Sequence, residues 1–243
     1  MRTRISRGLA AVLAVSALSL TAACNGTDDP AKDGADKPAA DRSGSATAAP
    51  TSQAPATPLT AAQMKAAALE LKDLPAGWKA AKADAATSNY KADKAECQPL
   101  AAVMSADTEG ATDGPRADFV LGRQQSELSE RVMTFPGTGA ADYTGKLATA
   151  LDTCKDFTVD VDGQKTKFTT RKLTAPQGAE EALAFAITIE IAPGIKIEPH
   201  LVVGRQGTGA FRMVHLADTT STKKDFDSFA KLATDKFVKA AQG

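Results

Sequence analysis

The segment from Ala182 to Ile191 limits the fold more than any other part of the chain. Leu183, Phe185, Ile187, Ile189 and Ile191 alternate strictly with Ala182, Ala184, Ala186, Thr188 and Glu190. Successive side chains of a strand point to opposite faces, so this is a strand with one strongly apolar face. Pro193-Gly194 turns the chain into Ile195 to Arg205, and Gly207-Thr208 turns it again into Ala210 to Leu216. Register follows from the apolar face, because a one-residue slip sends every side chain to the wrong side. Pairing Ile191 with Ile195 sets Ile189 against Ile197, Phe185 against Leu201 and Leu183 against Val203. The second turn adds Val214 opposite Leu201 and Leu216 opposite Pro199. The segment from about Lys223 to Ala241 reads as a closing helix. Its stripe of Phe226, Phe229, Ala230, Ala233 and Phe237 is expected to cover that face.

Upstream, Leu59-Thr60-Ala61-Ala62-Gln63-Met64 carries a helix start, with Thr60 and Gln63 spaced for a capping box and Leu59 for a staple on Met64. That helix is expected to reach about Leu71 and to stop before Leu74-Pro75-Ala76-Gly77-Trp78. Trp78, the only tryptophan, reads as a core plug. Residues 83–95 read as loop. Cys97-Gln98-Pro99-Leu100 opens a short helix to about Met104, with Pro99 in its first turn. Ala117 to Leu121 and Leu128 to Phe135 read as a hairpin, and Gly137 to Asp152 as a helix with Tyr143, Leu147 and Leu151 on one stripe. Phe157 to Val161 and Lys165 to Leu173 flank Asp162-Gly163, a two-residue hairpin signal. The expected class is α+β: an antiparallel meander of about six or seven strands with helices packed on one face.

The N-terminus sets the compartment. Arg2, Arg4 and Arg7 precede an apolar run from Leu9 to Leu20, and Leu18-Ser19-Leu20-Thr21-Ala22-Ala23-Cys24 ends in small residues before a cysteine. This order resembles the lipobox of bacterial lipoproteins, although Thr21 stands where those proteins prefer Leu. The resemblance implies cleavage after residue 23 and a diacylglyceryl group on Cys24. The apolar run of about 12 residues is short of the roughly 20 that a membrane span needs. Residues 24–58 follow as a tether: from Asn25 to Pro58 there is no Val, Ile, Leu, Met, Phe, Trp or Tyr, a composition too polar to fold. Residues 59–243 remain as one domain. The expected address is the outer face of the bacterial cytoplasmic membrane.

The chain has 29 basic and 29 acidic residues, and without the three arginines of the signal 26 basic face 29 acidic, a net charge of −3. No basic cluster survives in the sequence, so nucleic acid is not an expected partner. With Cys24 lipidated, Cys97 and Cys154 are left as a pair in an oxidising compartment and are expected to bridge. Two free thiols are the competing reading, which no CxxC or flanking histidine supports.

Together, the lipobox, the polar tether, the helix leading into Leu74-Pro75-Ala76-Gly77-Trp78, the Cys97-Gln98-Pro99-Leu100 start and the helix delivering Cys154 resemble the PknH-type extracellular sensor domain family. That family occurs on actinobacterial receptor Ser/Thr kinases and on free-standing lipoproteins. The resemblance covers residues 59–243 and implies an antiparallel sheet backed by helices, an open cleft, and ligand sensing without known chemistry. Kinase members carry two disulfides, whereas this chain can make one.

The register places His200 opposite His215 on the face away from the main apolar layer. Ala184, Ala186, Val202, Phe211 and Met213 continue that face, and Glu198 stands beside it. Apolar area with a few polar groups is what a ligand-binding strip needs. The competing reading is an ordinary second face. Two imidazoles and a carboxylate also suit zinc, but the spacing rests on an inferred register, and no metal or cofactor is expected. Adjacent imidazoles disfavour double charging, so at least one is expected to titrate below ~6.5.

Other motifs fail. Gly139 to Lys146 has five residues between its glycines instead of the four of a phosphate loop, and Leu147 follows the lysine. Asp160-Val161-Asp162-Gly163 lacks the later Glu of a calcium loop. There is no GxSxG or HExxH, and no serine with a local histidine partner. The expected function is therefore non-catalytic: an envelope lipoprotein that senses or binds a ligand or protein partner. The alternative is a lipid carrier of the LppX/LprG type, holding acyl chains between sheet and helices.

Overall fold

The computed structural model describes residues 57–82, 89–122, 126–217 and 222–243, with only the backbone described for 222–224. The signal segment, Cys24 and the tether up to residue 56 lie outside the described residues. Among the described residues ten strands form one sheet: β1 Trp78–Ala80, β2 Tyr90–Ala92, β3 Thr112–Leu121, β4 Ser126–Thr134, β5 Asp156–Val161, β6 Gln164–Lys172, β7 Glu181–Ala192, β8 Ile195–Ile197, β9 His200–Gln206 and β10 Gly209–Ala217. The helices are α1 Ala61–Ala67, α2 Gln98–Ala102, α3 Gly139–Thr153 and α4 Thr222–Gln242. The strand order is β1-β3-β4-β10-β9-β7-β6-β5-β2, with β8 paired to β7 and every described pairing antiparallel. The α+β class stands, with more strands than the six or seven expected. The three-residue strands β1, β2 and β8 are too short to carry an alternation signal.

The register of the C-terminal strands is the one the apolar face requires. Phe185 pairs with Leu201, Leu183 with Val203, Ile189 with Ile197 and Val214 with Leu201. Asp162 and Gly163 both have positive φ, as a two-residue type I′ turn demands. One pairing differs: a register shift between Glu190 and Ala192 sets Ala192, rather than Ile191, against Ile195. Ile191 and Ile195 are left exposed at the hairpin tip.

The helices pack on both faces of the sheet, correcting the expectation of one. Phe185, Ile187, Ile189, Leu201 and Val203 pack with Leu147, Ala150 and Leu151 of α3 and Leu100 and Ala101 of α2. On the other face Ala184, Val202, Phe211 and Met213 pack with Phe226, Phe229, Ala230, Ala233 and Phe237 of α4. The closing helix thus covers the opposite face from the one expected. Its rings need a floor that lets them approach closely, and Ala184 with Gly204 supplies it. A Cβ on Gly204 would lie 2.3 Å from the Phe211 ring, which crosses the glycine to meet Phe237 at 5.0 Å between centroids.

α3 owes its position to topology. β4 pairs with β10, yet β5, which follows it in sequence, lies near the far edge. The connection must cross the intervening strands, and α3 does so, contacting β9, β7 and β6. Cys154 caps its C-terminus and is bonded to Cys97 at the N-cap of α2. The segment read as loop at 83–95 yields β2 and a 3₁₀ turn over Ala95–Cys97. Gln98 explains β2: its carboxamide accepts from the Ala92 amide (2.9 Å) and donates to the Tyr90 carbonyl (2.8 Å), as a neighbouring strand would.

The Thr60–Gln63 capping box forms as read, but α1 stops at Ala67, short of Leu71. The Leu69 amide leaves the helix to donate to the buried Glu130 carboxyl (2.5 Å).

The Cys97–Cys154 bond closes a loop with a sequence separation of 57. Its removal in a Cys97→Ala/Cys154→Ala variant is expected to lower urea-unfolding stability by about 4 kcal/mol through the freed unfolded chain. A loss below about 1 kcal/mol would show that α2 docks without it.

Candidate functional site

The histidine strip is assembled but roofed. His200 pairs with His215, and Ala184, Ala186, Val202, Phe211 and Met213 lie around them, all seven buried. Phe226 of α4 meets the His200 ring edge-on at 5.2 Å, and Phe229 meets His215 at 5.4 Å. Trp78 closes the same layer, edge-on to Phe229 at 5.4 Å. In this arrangement the strip is the inner face of the α4 layer. Its polar groups are held from the sides. His200 Nε2 lies 3.1 Å from Glu198 Oε1, and Glu198 also accepts from Arg171 and Thr188.

His215 Nε2 lies 2.7 Å from Ser126 Oγ, a serine–histidine contact that local sequence could not reveal. A nucleophile and its base have this spacing, but the base also needs an orienting partner. His215 Nδ1 has none among the described residues. Burial, opposed by Asp225 and aided slightly by His200, brings His215 down to about 4. The expected direction holds, with desolvation rather than imidazole repulsion as the chief cause.

Glu130 occupies the same layer, paired across the strands with Met213. Its carboxyl is almost completely buried, and burial raises it to about 8, Asp73 reinforcing and the Leu69 amide and Lys236 opposing. It is a neutral acid at pH 7. Lys236 of α4 bonds Asp73 and Glu70 at the surface, so α1, its following turn and α4 close over Glu130 together.

The opposite face carries open space. A groove of about 520 Å³ runs between α2, the 108–110 turn and the start of α3. That volume falls in the roughly 300–1,000 Å³ range of small-molecule sites. Gln98, Pro99 and Ala102 form one wall, and Asp142, Tyr143 and Lys146 the other. Phe135 and Tyr143 stack at its base, 5.5 Å apart with 25° between planes. Thr108 and Tyr143 both line the groove; Thr108 Oγ1 is buried without a hydrogen-bond partner among the described residues, while Tyr143 Oη lies buried beside Arg212. Burial raises the Tyr143 phenol, and the neighbouring Arg212 guanidinium opposes the rise. Arg212 donates to the Val103 and Ser105 carbonyls where α2 ends, which fixes that wall to the sheet.

Sequence reasoning missed this side. Arg212 was the available signal, a cation between Phe211 and Met213 in an otherwise apolar strand. Its partners come from a helix far away in sequence.

Among solved structures, this fold is similar to the crystal structure of the extracellular domain of PknH from Mycobacterium tuberculosis. The TM-score is 0.50 and the identity 15%, over 75% of this chain and 98% of that one. A putative uncharacterized protein from Mycobacterium smegmatis, the Rv0999 ortholog, matches with TM-score 0.44 and 11% identity over 76% of this chain and 98% of that one. The first match establishes a related fold. No family model and no curated protein matches the chain.

The two buried titratable groups have opposite signatures. Folded Glu130 keeps a proton between its ordinary 4.5 and about 8, where the unfolded chain has lost it. Its support is complete below pH 4.5 and falls away as pH rises towards 8. His215 is neutral in the fold down to about 4, so its support is lost as pH falls from 6.5. Between pH 6.5 and 8 only Glu130 of these two acts. Glu130→Gln keeps an acceptor for Leu69 and is expected to remove a decline on the order of 2 kcal/mol over that window. Urea unfolding at several pH values measures it, and equal slopes in both proteins would contradict the buried neutral acid.

Proposed function

We propose that this chain is a non-catalytic binding domain, held at the outer face of the bacterial cytoplasmic membrane by a lipid on Cys24, with the groove between α2 and α3 as its ligand site. The observation that carries the reading is a groove of about 520 Å³, within the size range of small-molecule sites, at which the buried Thr108 Oγ1 is left without a hydrogen-bond partner among the described residues. A buried polar group left unpaired costs about 1–3 kcal/mol, and a ligand with complementary groups recovers that cost. The aromatic base of Phe135 and Tyr143 offers apolar area, while exposed Asp142 and Lys146 offer charge at the rim. The ligand is an envelope molecule or a segment of an envelope protein.

Several features support the address. The lipobox order and polar tether suit an anchored exported domain. The Cys97–Cys154 bond suits an oxidising compartment. The related fold belongs to a domain described as extracellular. No helix among the described residues is long and apolar enough to cross a membrane. Against the lipid-carrier alternative, side chains occupy the space between sheet and helix in both layers, Phe211, Phe226, Phe229 and Phe237 under α4 and Leu147, Leu151, Phe168 and Phe185 under α3, and the open groove lies beside α3. Against catalysis, both histidines lie beneath α4.

Two experiments test the reading. Cys24→Ser is expected to shift the protein out of the detergent phase or leave its precursor uncleaved, and unchanged partitioning would remove the anchor. Native mass spectrometry of protein purified from its own envelope is expected to show a bound small molecule that a Thr108→Val/Tyr143→Phe variant loses. Extractable acyl lipid retained by that variant would favour the carrier instead.

A further inference from the structure

β3, β4 and β10 lie side by side, and their register aligns three arginines. Arg116 is directly opposite Arg131, and Arg131 directly opposite Arg212. Like charges facing each other across strands destabilise a sheet. An irregularity in β3 between Asp113 and Arg116 sets both on the face that carries Arg131, and Asp113 pairs with Arg131 at 3.0 Å. Asp118 pairs with Arg116 at 2.9 Å. The third guanidinium, Arg212, has no carboxylate within ion-pair distance among the described residues; the Val103 and Ser105 carbonyls hold it, with the Tyr143 hydroxyl beside it. Its residue is 8% exposed. The side chain of Arg131 is 12% exposed. Asp107, 4.0 Å from Arg131, is almost fully solvated and adds little.

A cavity of about 210 Å³ opens over this row, lined by Arg116, Arg131, Arg212, Ser105, Ser129 and Tyr90. Three guanidinium-bearing and three hydroxyl-bearing side chains meet there, beside the apolar Val103, Met104 and Val214, in a space smaller than the roughly 300 Å³ at which drug-sized sites begin. Guanidinium forks match the oxygens of phosphate in geometry and in charge. Two close carboxylates leave the row one positive charge in excess, and a buried cation without a counter-ion is costly.

We propose that the Arg116–Arg131–Arg212 row is a binding site for a small phosphate-type oxyanion, inorganic phosphate or a phosphate monoester. The site is a different cavity from the α2–α3 groove, and the two adjoin where Arg212 meets Tyr143. Arg131 and Arg212 hold the anion from the floor, Arg116 from the rim, and Ser129 donates its hydroxyl. Bound anion relieves the repulsion along the row. It also strengthens the seat of Arg212, and with it the end of α2.

The test is isothermal titration of the full-length protein in detergent with inorganic phosphate and with glycerol 3-phosphate, against chloride at matched ionic strength. Saturable binding of one anion per chain is expected, and one phosphate species is expected to displace the other. Arg131→Gln is expected to weaken it at least tenfold, with folding checked by circular dichroism. Arg116→Gln, at the more exposed end, is expected to weaken it severalfold and serves should the first variant unfold. Thr108→Val alone, which leaves Tyr143 and Arg212 in place, is expected to leave phosphate affinity unchanged, which separates this site from the groove. Three results would each overturn the proposal: heats no larger than chloride gives, full affinity in Arg116→Gln and Arg131→Gln, or binding only to phosphatidylglycerol vesicles that phosphate does not displace.

Discussion

The fold depends on the burial of β9 and β10 on both faces. His200 to Gly204 and Gly209 to Met213 are buried without a break, so neither side of these strands can remain in water. A sheet with two apolar faces needs a helical layer on each. α4 and α1 supply one, α3 and α2 the other, and the rest of the structure follows from that division. The α4 layer is filled by five phenylalanines and Trp78, and its three polar intruders, His200, His215 and Glu130, each have one named partner and one further buried atom without a partner among the described residues. The α3 layer is laid by a helix that must cross the sheet, tied to a five-residue helix by one disulfide. That second layer covers the sheet incompletely. The groove and the arginine-lined cavity are the spaces it leaves.

The two layers divide the titratable chemistry as well. Under α4, desolvation neutralises: Glu130 holds its proton and His215 gives its proton up. On the α3 side charge persists, because arginine cannot shed its proton at physiological pH. Burial lowers Arg212 while Tyr143 and Asp113 oppose it, yet the guanidinium stays charged. An interior that neutralises its ionisable groups is packing. One that keeps an unbalanced cation beside open space is where a counter-charge is missing.

Much of the local structure was legible in the sequence because its causes are local. Asp162-Gly163 dictates its turn, Thr60 and Gln63 their capping box, and the apolar phase of Leu183 to Ile189 the pairing with Leu201 and Val203. What failed were choices between distant partners. The phenylalanine stripe of α4 specifies an apolar face but not which one, and Ala182, Ala184 and Ala186 look like spacers until they become a helix floor. The histidine pair was placed correctly in register and incorrectly as open surface, for that same reason. The arginine row was illegible because nothing near Arg131 says that β4 will lie against β10. Thr108 and Tyr143 come to line one groove only once α2 and α3 are docked.

Whether the α4 side is interior, leaving the α2–α3 side as the recognition face, is open to direct measurement by hydrogen–deuterium exchange of the native protein. Peptides covering His200–Gly204 and Phe211–His215 should exchange only through global unfolding, with peptides over 104–111 exchanging far faster. Early exchange of the two histidine-bearing strands together with α4 would contradict this, because it would mean that α4 lifts away and presents His200 and His215 to a ligand.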